Sequence, residues 1–186
     1  RNNNKELKLI YGGNLGLPQN PILISKFISK IELLDNISFK IIGSGTEFKF
    51  LANYINVNKI KKTQISNNLS KADYFSELDN ADIGLIFLNE RFTIPNYPSR
   101  LLDYLYFDLA ILSNTDSNTD IGEIIVKENI GKSFYGIQEL DNMILEINKM
   151  RNKTYLKSFN NNSQIILSNF FNIETSYRLI NNKIYK

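Results

Sequence analysis

Short apolar runs alternate along the chain with longer amphipathic stretches. The runs at residues 8–11 and 39–42 stop at glycine, and the run at 82–88 enters a proline-containing loop. Such runs are typical of parallel strands that are covered on both faces. Between them, apolar residues recur every three or four positions, as on the buried side of a helix. The pattern predicts an α/β fold in which helices connect the strands.

Six strands are predicted, at residues 8–11, 39–42, 61–65, 82–88, 109–112 and 131–135. Beyond residue 137 the pattern is helical, and two or three helices close the chain. Units of strand, helix and strand connect with a right-handed crossover and build an open, doubly wound sheet with helices on both faces. We therefore expect a mainly parallel, Rossmann-like sheet in one domain over residues 1–186. Any ligand should bind beyond the carboxyl ends of its strands.

Composition narrows the chemistry. The 186 residues are 42% hydrophobic, and 22 Lys and Arg stand against 19 Asp and Glu, which leaves a net charge of +3. This excess is too small for a strongly basic nucleic-acid binder, and no nucleic-acid partner is expected. The chain has no cysteine and no histidine, which excludes disulfides, thiolate nucleophiles and the usual proton shuttle. We expect no cofactor and no metal.

Two further features concern the whole polypeptide. Apolar runs reach only about six residues, far below the roughly 20 that span a bilayer, and no signal peptide heads the chain. A cytoplasmic location is therefore expected. Residue 1 is arginine rather than methionine, which suggests a fragment of a longer protein.

Two glycine-rich turns follow the first two predicted strands. Gly12, Gly13 and Gly16 close the first strand, and Gly43 and Gly45 close the second. Glycines at these points allow a ligand to approach the backbone, and the next helix start can attract an anion. An ordinary tight turn explains both segments equally well. Neither has the G-x-G-x-x-G spacing of dinucleotide-binding enzymes.

The segment at residues 94–105 is the most informative. Ser99 at a predicted helix start can cap that helix and receive a phosphate, and Arg100 can neutralise the phosphate charge. Asp103, one turn later, can accept hydrogen bonds from two vicinal hydroxyls. The combination suits a sugar nucleotide. The alternative is a plain helix start with a surface pair between Arg100 and Asp103.

Four motifs in order carry a resemblance to a known family. They lie at residues 9–16, 39–45, 81–85 and 98–105, and residues 131–134 also fit. Together they resemble the carboxyl-terminal, donor-binding half of GT-B retaining glycosyltransferases of group 1, or family 4, which include sucrose and glycogen synthases. The resemblance covers residues 7–180, and is closest to bacterial enzymes of capsule, O-antigen and exopolysaccharide synthesis.

The resemblance implies a role for each matching position. It places the diphosphate against Gly13 and Asn14, and the nucleotide pocket beside Gly43 and Gly45. It places the base against the segment from Asn67 to Leu69. The backbone of Tyr97, Pro98 and Ser99 would hold phosphate, with Arg100 as the catalytic counter-charge. Asp103 would bind the ribose hydroxyls, in the role of the second Glu of the family's Glu-x7-Glu signature.

The chain departs from the family at three positions. The first Glu of the signature falls at Pro95, and an Arg and a Lys that many relatives carry after the first strand are Asn14 and Gln19. Arg100 is then left with more of the electrostatic stabilisation. The departures fit the polysaccharide branch, but a degenerate domain with weakened donor binding explains them as well.

The expected function is donor binding in a hexosyltransferase that acts on a polysaccharide or glycolipid. The acceptor domain would be the absent amino-terminal part of the same polypeptide, the isolated domain would be inactive, and membrane contact would come only through the full-length enzyme. A non-catalytic interaction module and a sugar-nucleotide epimerase half remain alternatives; a nicotinamide enzyme is disfavoured. Asp116 and Asp120 are interpreted as turn-forming residues rather than sugar ligands.

Overall fold

The computed structural model describes residues 6–93 and 97–170. Its centre is a single sheet of six strands, all parallel, in the order β3-β2-β1-β4-β5-β6. The strands are β1 Leu7–Gly12, β2 Ile37–Ile42, β3 Thr63–Ser66, β4 Ile83–Phe87, β5 Ala110–Thr115 and β6 Gly131–Tyr135. The predicted doubly wound parallel sheet is confirmed. The order reverses between β1 and β4, where such sheets open a crevice for ligands.

Eight α-helices lie in the described part of the chain, with short 3-10 turns at Leu17–Gln19, Ile137–Glu139 and Asn160–Asn162. They are α1 Pro21–Glu32, α2 Phe48–Val57, α3 Lys71–Asp79, α4 Arg100–Tyr106, α5 Ile121–Lys127, α6 Leu140–Met150, α7 Lys153–Lys157 and α8 Ser163–Phe170. Side chains of α1, α2, α6 and α7 form one core cluster with the sheet, and those of α3, α4, α5 and α8 form another. Helices therefore cover both faces, as predicted.

The pairing of β1 with β4 is short. β1 pairs with β2 at six positions, from Leu7 to Gly12, but with β4 only at Leu9 and Ile10. The two strands therefore part towards their carboxyl ends, at the point where the strand order reverses. This separation sets the position of the site described below.

Within residues 6–93 and 97–170, no helix combines the length and the hydropathy that crossing a membrane requires.

Candidate functional site

A cavity of about 720 Å³ opens where β1 and β4 part. Its wall combines the β1–α1 loop, the first turns of α3 and α4, and the segments that precede them. Eight of the eleven predicted site residues lie on this wall: Gly13, Asn14, Leu69, Tyr97, Pro98, Ser99, Arg100 and Asp103. Residues that are far apart in sequence thus meet at the carboxyl edge of the sheet.

The other three predicted residues, Gly43, Gly45 and Asn67, are not on the wall, although Ile42 and Asn68 are. The two glycines instead pack under the β1–α1 loop. A Cβ on Gly43 would lie 1.8 Å from the Gly13 carbonyl oxygen. Gly45 has φ +149°, and a Cβ there would lie 2.2 Å from the Leu15 carbonyl oxygen. These positions admit only glycine because two loops approach each other at backbone distance.

Main-chain hydrogen bonds join the same two loops. The Gly13 N–H donates to the Ile42 carbonyl at 2.9 Å, and the Leu15 N–H donates to the Ser44 carbonyl at 2.8 Å. The shape of the β1–α1 loop is therefore fixed by the backbone of its neighbour.

Asn14 and Gln19, which replace the expected cations, bond to each other. The Asn14 amide donates to Gln19 Oε1 at 3.1 Å, and the Gly16 N–H donates to the same oxygen at 3.0 Å. Gln19 is buried. Its side chain thus holds the loop closed, and this side of the cavity carries no charge of its own.

Arg100 supplies the charge from the opposite side. Its side chain is only 8% exposed, and the guanidinium carbon lies 4.3 Å from the centre of the Tyr11 ring. Nη2 lies 3.1 Å from the position that a Cβ on Gly13 would occupy. Nη1 is buried without a hydrogen-bond partner, and no ion pair among the described residues includes Arg100. The Tyr11 side chain contacts the guanidinium, but the buried Nη1 without a partner carries a desolvation penalty that an anionic ligand at this point would recover.

The start of α4 corrects the predicted cap. Ser99 has helical angles, φ −56° and ψ −26°, and its side chain makes no capping hydrogen bond. A capping side chain needs extended backbone angles to reach back to the first helical N–H groups. The Leu101 N–H instead donates to the Pro98 carbonyl at 3.1 Å. The Ser99 hydroxyl is therefore not engaged in capping. Pro95, the predicted departure from the signature, lies outside the described residues.

Asp103 faces the cavity from one turn further along α4. Burial raises the pKa of its carboxyl group, and the Lys71 ammonium opposes that rise. Lys71 and Tyr74 come from α3 and also line the cavity. Burial, with Asp103 as a second cause, raises the pKa of Tyr74 well above its usual value. The phenol therefore stays neutral at physiological pH.

Sequence reasoning missed Lys71 and Tyr74. Both follow the segment at residues 67–69, which was predicted to line the base. The feature that brings them to the site is the observed strand order, which places α3 and α4 on the same face of the sheet and which the sequence pattern did not give. Asp116, by contrast, is a turn-forming residue as predicted, since its Oδ1 accepts hydrogen bonds from the N–H groups of Asn118 and Thr119 at 2.7 and 2.9 Å.

No protein-family model and no curated protein matches this sequence. Solved structures do resemble it. The C-terminal domain of a glycosyl transferase group 1 family protein, LpcC from Francisella tularensis, is 11% identical with a TM-score of 0.68, over 91% of this chain and 88% of that one. TarM from S. aureus is 10% identical with a TM-score of 0.77, over 96% of this chain and 35% of that one. HepE from Anabaena is 14% identical with a TM-score of 0.71, over 97% of this chain and 49% of that one.

The chain spans less than half the length of the TarM and HepE chains, but nearly all of the separately solved LpcC domain. At such low identity the likeness concerns architecture. This chain has the fold of the carboxyl-terminal domain of a GT-B, group 1 glycosyltransferase.

Proposed function

We propose that this chain is the donor-binding domain of a glycosyltransferase and binds a nucleoside-diphosphate sugar in the carboxyl-end cavity. The observation that carries the proposal is the buried Arg100 guanidinium, whose Nη1 has no partner and whose Nη2 lies against Gly13. A diphosphate is the anion that suits this place, because a planar guanidinium binds phosphate oxygens in pairs. The HepE structure holds UDP-glucose and the TarM structure holds UDP, which supports the same ligand class.

The parts of the donor are assigned along the wall. The diphosphate lies beside Arg100 and along the backbone of Gly13 and Asn14, with the Ser99 hydroxyl as a further donor. The ribose hydroxyls bind the Asp103 carboxylate, and the base extends towards Leu69. These assignments follow the placement of all six residues on one wall.

In the transfer step, the bond between the anomeric carbon and the diphosphate oxygen breaks, the acceptor oxygen forms the new glycosidic bond, and the acceptor proton passes to the leaving diphosphate. Negative charge then grows on the leaving diphosphate, and Arg100 stabilises it electrostatically. We assign acceptor binding to a partner domain in the amino-terminal part of the polypeptide. A hexosyl donor, a polysaccharide or glycolipid acceptor, a metal-free mechanism and a cytoplasmic site of action complete the proposal.

Calorimetric titration of the chain with UDP and GDP tests donor binding. We expect a Kd below about 1 mM for at least one of them. In Arg100→Ala, affinity should fall at least about tenfold, since a hydrogen bond to a charged group is lost. Arg91→Ala is the matched control. Arg91 is exposed and lies outside the cavity, and its substitution removes the same charge as Arg100→Ala.

A second candidate is a non-catalytic module that keeps the fold without the ligand. The uncharged β1–α1 loop favours it, since Gln19 is committed to Asn14 and Gly16. Absence of binding to both nucleotides would support this module and contradict donor binding. Equal affinities for the wild type and Arg100→Ala would instead remove Arg100 from the site.

A further inference from the structure

A phenol joins β1 to β4 where their direct pairing has ended. Beyond the Ile10 and Gly84 pair, β1 continues to Gly12 and β4 to Phe87. The Gly12 N–H donates to the Tyr104 hydroxyl oxygen at 3.1 Å, and the Tyr104 hydroxyl donates to the Leu85 carbonyl at 3.1 Å. One side chain of α4 thus satisfies a backbone donor of one strand and a backbone acceptor of the other.

The phenol is held in place by packing as well. Tyr104 is completely buried, and a Cβ on Gly84 would lie 2.4 Å from its ring, so the ring rests directly on the glycine backbone. Burial raises the pKa of the Tyr104 hydroxyl far above its usual value, which keeps the proton available for Leu85. Removal of the hydroxyl alone would leave two buried backbone groups without partners.

Tyr104 lies between the groups that form the phosphate site. Its hydroxyl holds Gly12, the residue before Gly13, and its own helix carries Arg100 one turn earlier. The distance between the Gly13 backbone and the guanidinium therefore depends on two quantities. They are the separation of β1 and β4 and the position of α4 on the sheet. Both are fixed by the same phenol.

We infer that Tyr104 is a positioning residue for the diphosphate: its hydroxyl bridges Gly12 and Leu85 and so fixes the position of Gly13 relative to Arg100, the two groups that a diphosphate would contact together. This inference rests on the proposed function. Tyr104 does not line the cavity and would act only through Gly12, Gly13 and α4. Loss of the hydroxyl allows the strands to close towards each other and misplaces Gly13 relative to the guanidinium.

The test compares Tyr104→Phe with the wild type in titrations with UDP and UMP, well below the unfolding temperature. We expect the UDP affinity to fall by about tenfold, the equivalent of one hydrogen bond, and the preference for UDP over UMP to narrow. Tyr155→Phe is the control, because it removes a hydroxyl hydrogen-bonded to Glu146, outside the cavity wall. It should leave both affinities unchanged.

A purely structural hydroxyl would lower the unfolding temperature of Tyr104→Phe while leaving its UDP affinity and its preference for UDP unchanged. That result would overturn the inference and leave donor binding intact. Failure of the wild type to bind UDP and GDP would instead overturn the proposed function, and the inference with it.

Discussion

A cavity opens at each end of the sheet, and the cationic side chains at the two ends differ in their burial and in their hydrogen-bond partners. The cavity at the amino ends of β1–β3, of about 380 Å³, is lined by Lys8, Lys40, Lys61 and Lys62. There, Lys40 Nζ lies 2.6 Å from Glu77 Oε2, and Lys62 Nζ donates to the Glu32 carbonyl at 3.0 Å. At the carboxyl end, Arg100 is more deeply buried and its Nη1 has no partner. A buried guanidinium nitrogen without a hydrogen-bond partner marks a ligand site better than a count of cations.

Among the variants that test this comparison, Arg100→Met should have the largest effect on UDP affinity. Methionine keeps most of the side-chain volume but removes the charge, so UDP affinity should fall by about 100-fold while the unfolding temperature of the ligand-free chain does not fall. Titration and thermal denaturation measure the two quantities. A large drop in unfolding temperature with unchanged affinity would show that Arg100 is part of the scaffold.

Glu146 is a buried negative charge that contrasts with Arg100, because both of its carboxylate oxygens accept side-chain hydrogen bonds. It is buried, and both the Tyr155 hydroxyl and, at 2.9 Å, the Lys149 ammonium donate to its carboxylate. Glu146→Gln should lower the free energy of unfolding at pH 7 by about 1–2 kcal/mol, since a charged hydrogen bond is weakened. Chemical denaturation measures the difference.

The same variant has a predicted pH dependence. Burial alone would raise the pKa of Glu146, but hydrogen bonds from Tyr155 and Lys149 outweigh burial and hold it below its ordinary 4.5. The stabilisation is therefore complete above pH 4.5 and is lost as the pH falls through the lowered pKa. The stability gap between the wild type and Glu146→Gln should shrink below about pH 4. A gap that stays constant down to pH 3 would contradict this account.

Lys71→Ala sharpens the comparison at the carboxyl end. Lys71 is exposed at the cavity wall and its charge is felt by Asp103. UDP affinity should fall about threefold to fivefold, and less at high salt, because exposed charges are screened. Lys61→Ala, in the amino-end cavity, is the control and should not change the affinity. Equal losses in both variants would indicate only a general field effect.

Lys40→Met should have the smallest effect. It leaves Glu77 without its partner at a half-exposed site, which costs about 0.5 kcal/mol of unfolding free energy. UDP affinity should stay the same, since the pair lies at the other end of the sheet. A loss of UDP affinity would show that the two cavities are coupled.

The strands and the helices that connect them were predictable because buried parallel strands read as apolar runs. Arg100 and Asp103 were also predictable as a pair, since their spacing of three puts both on one side of a helix. The conformation of Ser99 was not, because the turn from Pro98 to Leu101 fixes the helix start. Lys71 depends on the packing of α3 against the cavity, and the glycines at 43 and 45 depend on contact between two loops. Such contacts are tertiary and leave no local pattern.

The bonding of the β1–α1 loop to its neighbour has a thermodynamic consequence. Because Gly13 and Leu15 are already bonded to the end of β2 and to the loop that follows it, a nucleotide would meet a surface that needs no folding. The heat-capacity change of association should then reflect only the apolar area covered by the ligand. The enthalpy of nucleotide binding, measured by calorimetric titration, should therefore vary little between low and high temperature.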